Sequence, residues 1–181
     1  MSLVVFLRGV NVGGHRTFRP AALAAQLKHL DCVNIGAAGT FVIRRPVPLK
    51  TLRAELARLL PFETAIAICH GKNVTELVAN SPFGERKVGR DVVRFVSILP
   101  NKTFRVTPVQ LPGKGKWLVR VLGQRERFVI GEYRRHMKTI GYLGKLDQHF
   151  RATVTTRNWS TFEKIARVLT VDFGRARSTS S

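Results

Sequence analysis

LVVFLRGVNVGG, residues 3–14, opens on the apolar run Val4, Val5, Phe6 and Leu7 and breaks at Arg8 into a loop with glycines at 9, 13 and 14. Glycine lets a backbone turn sharply and approach a ligand closely. Residues 3–8 therefore read as a buried strand ending in a loop. Working outward, Pro20 suits the first position of a helix whose stripe is Ala21, Leu23, Ala24, Leu27 and Leu30. Residues 32–36 and 40–44 read as strands about the turn at Gly39. Residues 48–60 carry Leu49, Leu52, Leu56 and Leu59 at helical spacing, and Pro61 stops them. A strand over 65–69 and a short helix from Val74 to Ala79 follow. Strand, helix, strand, strand, helix, strand is the ferredoxin-like order, an antiparallel sheet with helices on one face.

The second half partly echoes the first. Residues 92–98 read as a strand, 116–122 and 127–133 as a hairpin, 139–150 as a short helix, 153–155 as a brief strand and 159–169 as a helix. Residues 99–115, rich in Pro, Gly and Lys, carry no clear pattern. The expected fold class is α+β: two ferredoxin-like βαββαβ-type halves, a fold duplication with mostly antiparallel sheets. The expected divisions are 1–84, a linker at 85–91, 92–174, and a disordered tail at 175–181.

The 181 residues suffice for one well-buried core or two small ones. No apolar run approaches the roughly 18 residues of a membrane span. The N-terminus MSLVVFLRG lacks the basic and apolar regions of a signal peptide. Cys32 and Cys69 each lie in an apolar strand-like run and read as buried free thiols, which points to a reducing cytoplasm. No metal site, cofactor or membrane partner is called for, and the oligomeric state is left open.

Charge is the unusual quantity. Lys and Arg total 31 against 11 Asp and Glu, a net +20. Residues up to 90 carry +8 and those after carry +12. Two readings stand: an arginine-rich compositional bias, or a polyanion partner such as nucleic acid.

These motifs converge on a family. LRGVNVGG at 7–14, the leucine-rich helix, the hairpin through Gly39, NSPFG at 80–84 and TTRNWSTFEKI at 155–165 stand in collinear order. Together they resemble the small bacterial α+β proteins of domain of unknown function 1697. The resemblance implies a duplicated α+β fold and no established activity. The family's Gln-Ser-Gly-Asn at the first hairpin turn is replaced here by Ala37, Ala38, Gly39 and Thr40, and its Ser-Lys pair by Gly144–Lys145. A ligand site at that turn would be weakened in this chain.

Three candidate sites follow. The segment from Gly9 nearly spaces a phosphate-binding P-loop, but His15 and Arg16 stand where Lys and Ser or Thr are required. It is then either a connecting loop or a non-hydrolytic anion loop built from Arg8, Asn11, Gly13 and Gly14. Thr155, Thr156, Arg157 and Asn158 enter the last helix. Asn158 or Ser160 caps it, the latter in a capping box with Glu163, or Arg157 and the helix dipole hold an anion. The chain ends are expected to meet in one cleft, where Arg8, Asn11, Arg157 and Asn158 line a site for a small phosphate- or carboxylate-bearing ligand with Lys145 as an added cation; an enzyme or sensor for such a ligand is the alternative to polyanion binding. The third site is the hairpin and its continuation. Lys114, Lys116, Arg120, Arg125, Arg127, Arg134, Arg135 and Lys138 are opposed only by Glu126 and Glu132. Strand alternation points Trp117 into the core with Val119 and Val121 and leaves the cations for phosphate contact. The five histidines show no metal spacing and the acids form no pair, so no catalytic constellation is recognisable and the reading leans away from an enzyme.

Overall fold

A strand covered on both faces needs no alternation, and Leu3–Leu7 (β1) has all five side chains buried. The computed structural model describes residues 1–11 and 18–177, those from 172 on by backbone alone. By contact these divide into two compact units, Met1–Ala79 with the residues from Thr161 on, and Asn80–Ser160.

The first unit runs β1, α1 (Pro20–Gln26), β2 (Cys32–Asn34), β3 (Thr40–Ile43), α2 (Leu49–Leu59), β4 (Ile66–His70) and α3 (Gly71–Ala79). Its sheet has the order β2–β3–β1–β4 with every neighbouring pair antiparallel. That is the order and sense of the ferredoxin-like sheet expected from the sequence. Leu3, Val5 and Leu7 pack with Phe41, Ile43, Leu23 of α1, Leu27 just after that helix, and Leu52 and Leu56 of α2. The intervening Phe6 stacks at 5.6 Å on Phe162 of the last helix, α6 (Trp159–Arg177). Fully burying one such ring contributes roughly 1.5–3 kcal/mol. Leu49, expected on the apolar stripe of α2, stands exposed at its first turn.

The second unit contains β5 (Val92–Ile98), β6 (Val109–Leu111), β7 (Val119–Arg125), β8 (Phe128–Arg134), α4 (Thr139–Gly144), α5 (Leu146–Phe150) and β9 (Thr155–Asn158). The sheet order is β6–β7–β8–β5–β9, again all antiparallel. Strands β5, β7, β8 and β9 thus repeat the order of β1 to β4. The repeat is incomplete, because no helix joins β5 to β7. Pro100, Pro108 and Pro112 with Gly113 and Gly115 break helical hydrogen bonding there, and the segment instead adds the short edge strand β6. On one sheet face Phe95, Val119, Val121 and Val129 pack with Leu146, Phe150 and Val154.

Two boundaries move. The helix expected over 139–150 is split at Lys145 into α4 and α5. The last helix continues to Arg177, into the expected tail, and from Thr161 it belongs with the first unit rather than with the expected 92–174 half. Residues 178–181 lie outside the described residues. No described helix is long and apolar enough to cross a membrane.

Gly131 of β8 offers the sharpest packing test. A Cβ there would stand 2.6 Å from Phe95 Cε1 and 2.7 Å from the backbone oxygen of Arg120. Backbone cannot swing aside as a flexible side chain can, so Gly131→Ala should destabilise by about 1–3 kcal/mol. Urea unfolding checks this, and an unchanged midpoint would contradict the packing of Phe95 against β8.

Candidate polyanion surface and the two end motifs

The sheet face opposite the helices of the second unit carries charge. Alternation along β8 puts Val129, Gly131 and Tyr133 on one side and Glu132 and Arg134 on the other. Pairing places Arg94 of β5 and Arg120 of β7 directly across from Glu132. The Glu132 carboxylate has 0% exposure. Arg120 donates to its Oε2 from Nε at 2.9 Å and Nη2 at 2.7 Å. Arg86 donates to Oε1 from Nη2, and Arg94 Nε lies 3.7 Å from the same oxygen. Burial alone would raise the carboxyl pKa. The Arg120 and Arg86 hydrogen bonds and charges outweigh it and hold the group below the ordinary carboxylate value.

Trp117 departs from the expectation of a core residue. Strand β7 starts only at Val119, so alternation does not extend back to it. Its half-buried ring has the Arg120 guanidinium 4.1 Å and the Arg134 guanidinium 4.3 Å from its centroid. Arg134 also donates to Asp91. On the other side Arg94 lies 5.0 Å over Phe83, which packs edge-on at 5.2 Å against Trp159. Trp159 is thus only half-buried, while Phe162 and Ala166 of the same helical face are buried.

The eight cations of the hairpin region therefore fall into two groups. Arg120 and Arg134 are committed to carboxylates and to Trp117. Arg127 braces a loop, donating from Nε at 2.9 Å and Nη2 at 2.7 Å to the Leu99 carbonyl and at 3.0 Å to that of Pro100. Lys114, Lys116, Arg125, Arg135 and Lys138 are exposed and make no ion pair among the described residues. Sequence reasoning missed Arg86, Asp91 and Arg94, and read Glu132 only as an opposing acid. Only the pairing register shows that the acid sits inside an arginine cage.

The end motifs are largely occupied with holding loops. Asn11, at φ +54°, donates from Nδ2 to the carbonyls of Phe18 at 3.1 Å and Ala37 at 2.9 Å, and its Oδ1 accepts the Phe18 N–H at 2.9 Å. Its amide thus ties the glycine loop to the hairpin turn. Gly39, at φ +68°, closes that turn where a Cβ would lie 2.6 Å from Val10. Gly13 and Gly14 lie outside the described residues. The Arg8 backbone N–H donates to Ala65 at 3.0 Å, and the Arg8 carbonyl accepts the Thr64 hydroxyl.

At the other end, 155–158 is the edge strand β9, not a loop entering the helix. Thr155 is buried, and Thr156 shares a 2.7 Å hydrogen bond with Ser97. Asn158 Oδ1 accepts from the Tyr133 hydroxyl at 3.1 Å. Ser160 falls inside the first helical turn rather than before it. Arg157 is 9% exposed, and its Nη1 donates to the Thr156 carbonyl at 2.9 Å. Desolvation lowers its pKa to about 10. Lys145 is exposed, with its ammonium 5.6 Å over Tyr142. Arg8 and Asn11 belong to the first unit, and Arg157, Asn158 and Lys145 to the second. Both cysteines are free, and burial with the nearby Asp31 raises the Cys32 thiol to about 12. No group of three or more His, Cys, Asp or Glu among the described residues could hold a metal ion.

Residues 1–110 match the model of a family described as "Protein of unknown function (DUF1697)". Among solved structures, the conserved bacterial protein SP0830 from Streptococcus pneumoniae is similar, with a TM-score of 0.60 at 17% identity. The match covers 93% of this chain and 98% of that one, which shows a shared fold. No curated protein matches the chain.

The arginine cage sets a pH signature. Glu132 is ionised more readily folded than unfolded, so its stabilisation is complete above the ordinary value of 4.5 and is lost as pH falls through the lower folded value. Glu132→Gln should cost about 3–5 kcal/mol at neutral pH, because it leaves guanidiniums without their buried counter-charge. The gap to wild type should narrow as pH falls below 4.5 through the lower folded value. A gap that stays constant over that range in urea unfolding would show that the carboxylate charge is not what matters.

Proposed function

Because the chain belongs to the family of unknown function DUF1697, membership brings no activity with it, and we propose from its own surface that it binds nucleic acid or another polyanion without sequence preference. The surface is that of the second unit. One observation carries this reading: five cations, Lys114, Lys116, Arg125, Arg135 and Lys138, are exposed and unpaired among the described residues. The acids that would offset them are few. Residues 80–160 hold 17 Lys and Arg against 5 Asp and Glu. Of the five, Glu132 is buried among arginines and Asp91 is bound by Arg134.

The chemistry is that of phosphate contact. Flexible ammonium and guanidinium groups on loops and strand ends neutralise backbone charge and release counterions, and they carry little base information. The internal pairs serve a second purpose. Arg94, Arg120 and Arg134 are fixed by Glu132, Asp91, Trp117 and Phe83, so the exposed cations stand on a stiff positive base. Such a surface attracts a polyanion over distances up to about a Debye length.

Fluorescence anisotropy with labelled oligonucleotides checks the reading. If about five phosphates of a duplex are neutralised, affinity should fall with salt at a log–log slope near −4 to −5. Reversing the five exposed cations to Glu together should weaken binding to all sequences alike and flatten the slope. No association at about 50 mM salt would remove the proposal.

A further inference from the structure

We propose that Met137 and Ile140 form an apolar wedge that enters between bases, so that the surface prefers nucleic acid with unpaired or unstacked bases over intact duplex. The inference rests on the polyanion reading and deepens it. Met137 is 92% exposed and Ile140 75%, the highest values among the exposed large apolar side chains of the described residues. Scattered single hydrophobes on a surface are ordinary. These two lie three positions apart on one turn that the chain holds rigidly. The buried Thr139 donates from its hydroxyl to the Arg134 carbonyl at 2.6 Å, and its N–H donates to the His136 carbonyl at 3.0 Å. The Lys138 N–H donates to His136 Nδ1 at 3.2 Å. The backbone of the turn that carries the two side chains is thus set in advance, with little backbone ordering left to lose on binding.

Their neighbours identify the occupant. Exposed Arg135 and Lys138 alternate with them, and between the caged Glu132 and Asp147 the sequence holds no acid. A partner for this segment must offer negative charge and an apolar face within a few ångströms of each other. Phosphates flanking the π-faces of bases do so. A thioether or branched alkyl gains nothing at a phosphate but buries its surface against a base. Apolar wedges of Met and Ile in minor-groove proteins act in this way and must first open a stacked step. A bulge or single strand has already lost that stacking, so it should bind better. An anionic membrane also places charge above apolar matter. Two apolar side chains beside a six-residue helix form no extended amphipathic face that could embed in the headgroup layer.

The test uses the full chain and the double variant M137S/I140S, whose sites are exposed and whose thermal unfolding should match wild type. Anisotropy is measured at one salt concentration on a 20-base-pair duplex, the same duplex with a two-nucleotide bulge, and the single 20-mer. Wild type should prefer the bulged and single-stranded probes by about tenfold, the scale of burying part of two such side chains. The variant should keep its affinity for intact duplex within about twofold and lose the preference. Equal wild-type binding to all three probes, or an equal loss on all three in the variant, overturns the wedge and leaves the polyanion reading standing. No binding of wild type to any probe at about 50 mM salt removes both. Sedimentation with phosphatidylglycerol vesicles gives the other outcome: vesicle binding lost in the variant, with oligonucleotide affinity unchanged, would assign the two residues to a lipid surface and overturn the proposal.

Discussion

A carboxylate with 0% exposure would be strongly disfavoured on its own, and Glu132 is tolerated because three guanidiniums close on it. Each comes from a different place: Arg94 from β5, Arg120 from β7 and Arg86 from the segment before β5. The charge pair therefore fixes the register of neighbouring strands. A slip of one residue would move Glu132 to the helix-covered face, among the apolar Phe95, Val119 and Leu146 and away from its three arginines. The same constraint sets the outer surface. Arg120 is turned so that its guanidinium lies over Trp117, and Arg134 joins it there while holding Asp91. What is left facing water is cationic with few offsetting acids.

The first unit solves its register by apolar means. Its sheet is buried on both faces at β1, and the glycine at 39 lets the hairpin turn press on Leu7 and Val10. Asn11 completes that junction with both of its amide donors and its amide oxygen engaged. The specific sequence of the glycine loop is thereby explained in part by packing. Asn tolerates the left-handed backbone at position 11, and its side chain bonds the Phe18 and Ala37 carbonyls at once.

The first sheet was fully legible from the residues because each element carried its own period. Leucines recurred every three or four positions in α2, and short apolar runs were bounded by Gly and Pro. The second unit was less legible where structure depends on pairing. A Pro- and Gly-rich stretch hid the edge strand β6, and TTRN read as a helix cap although it pairs with β5. The eight hairpin cations were visible as a cluster, but composition cannot tell a guanidinium that braces a carbonyl, as Arg127 does, from one left free, as Arg125 is. Trp117 was misplaced because alternation was extended beyond the strand. Arg157 was expected at a surface and is desolvated within the edge strand β9. None of these facts is encoded locally. Each depends on which strand lies next to which.

The central claim is that the second unit's basic surface, and not the end motifs, meets the ligand. Hydrogen–deuterium exchange with and without a single-stranded 20-mer addresses it at peptide resolution. The account predicts slowed exchange in peptides covering Lys114 to Trp117, Arg125 to Arg127 and Arg135 to Ile140. Peptides covering Arg8 to Asn11 and Thr155 to Asn158 should be unchanged. Slowed exchange confined to those two end segments, with the basic hairpin unaffected, would contradict it.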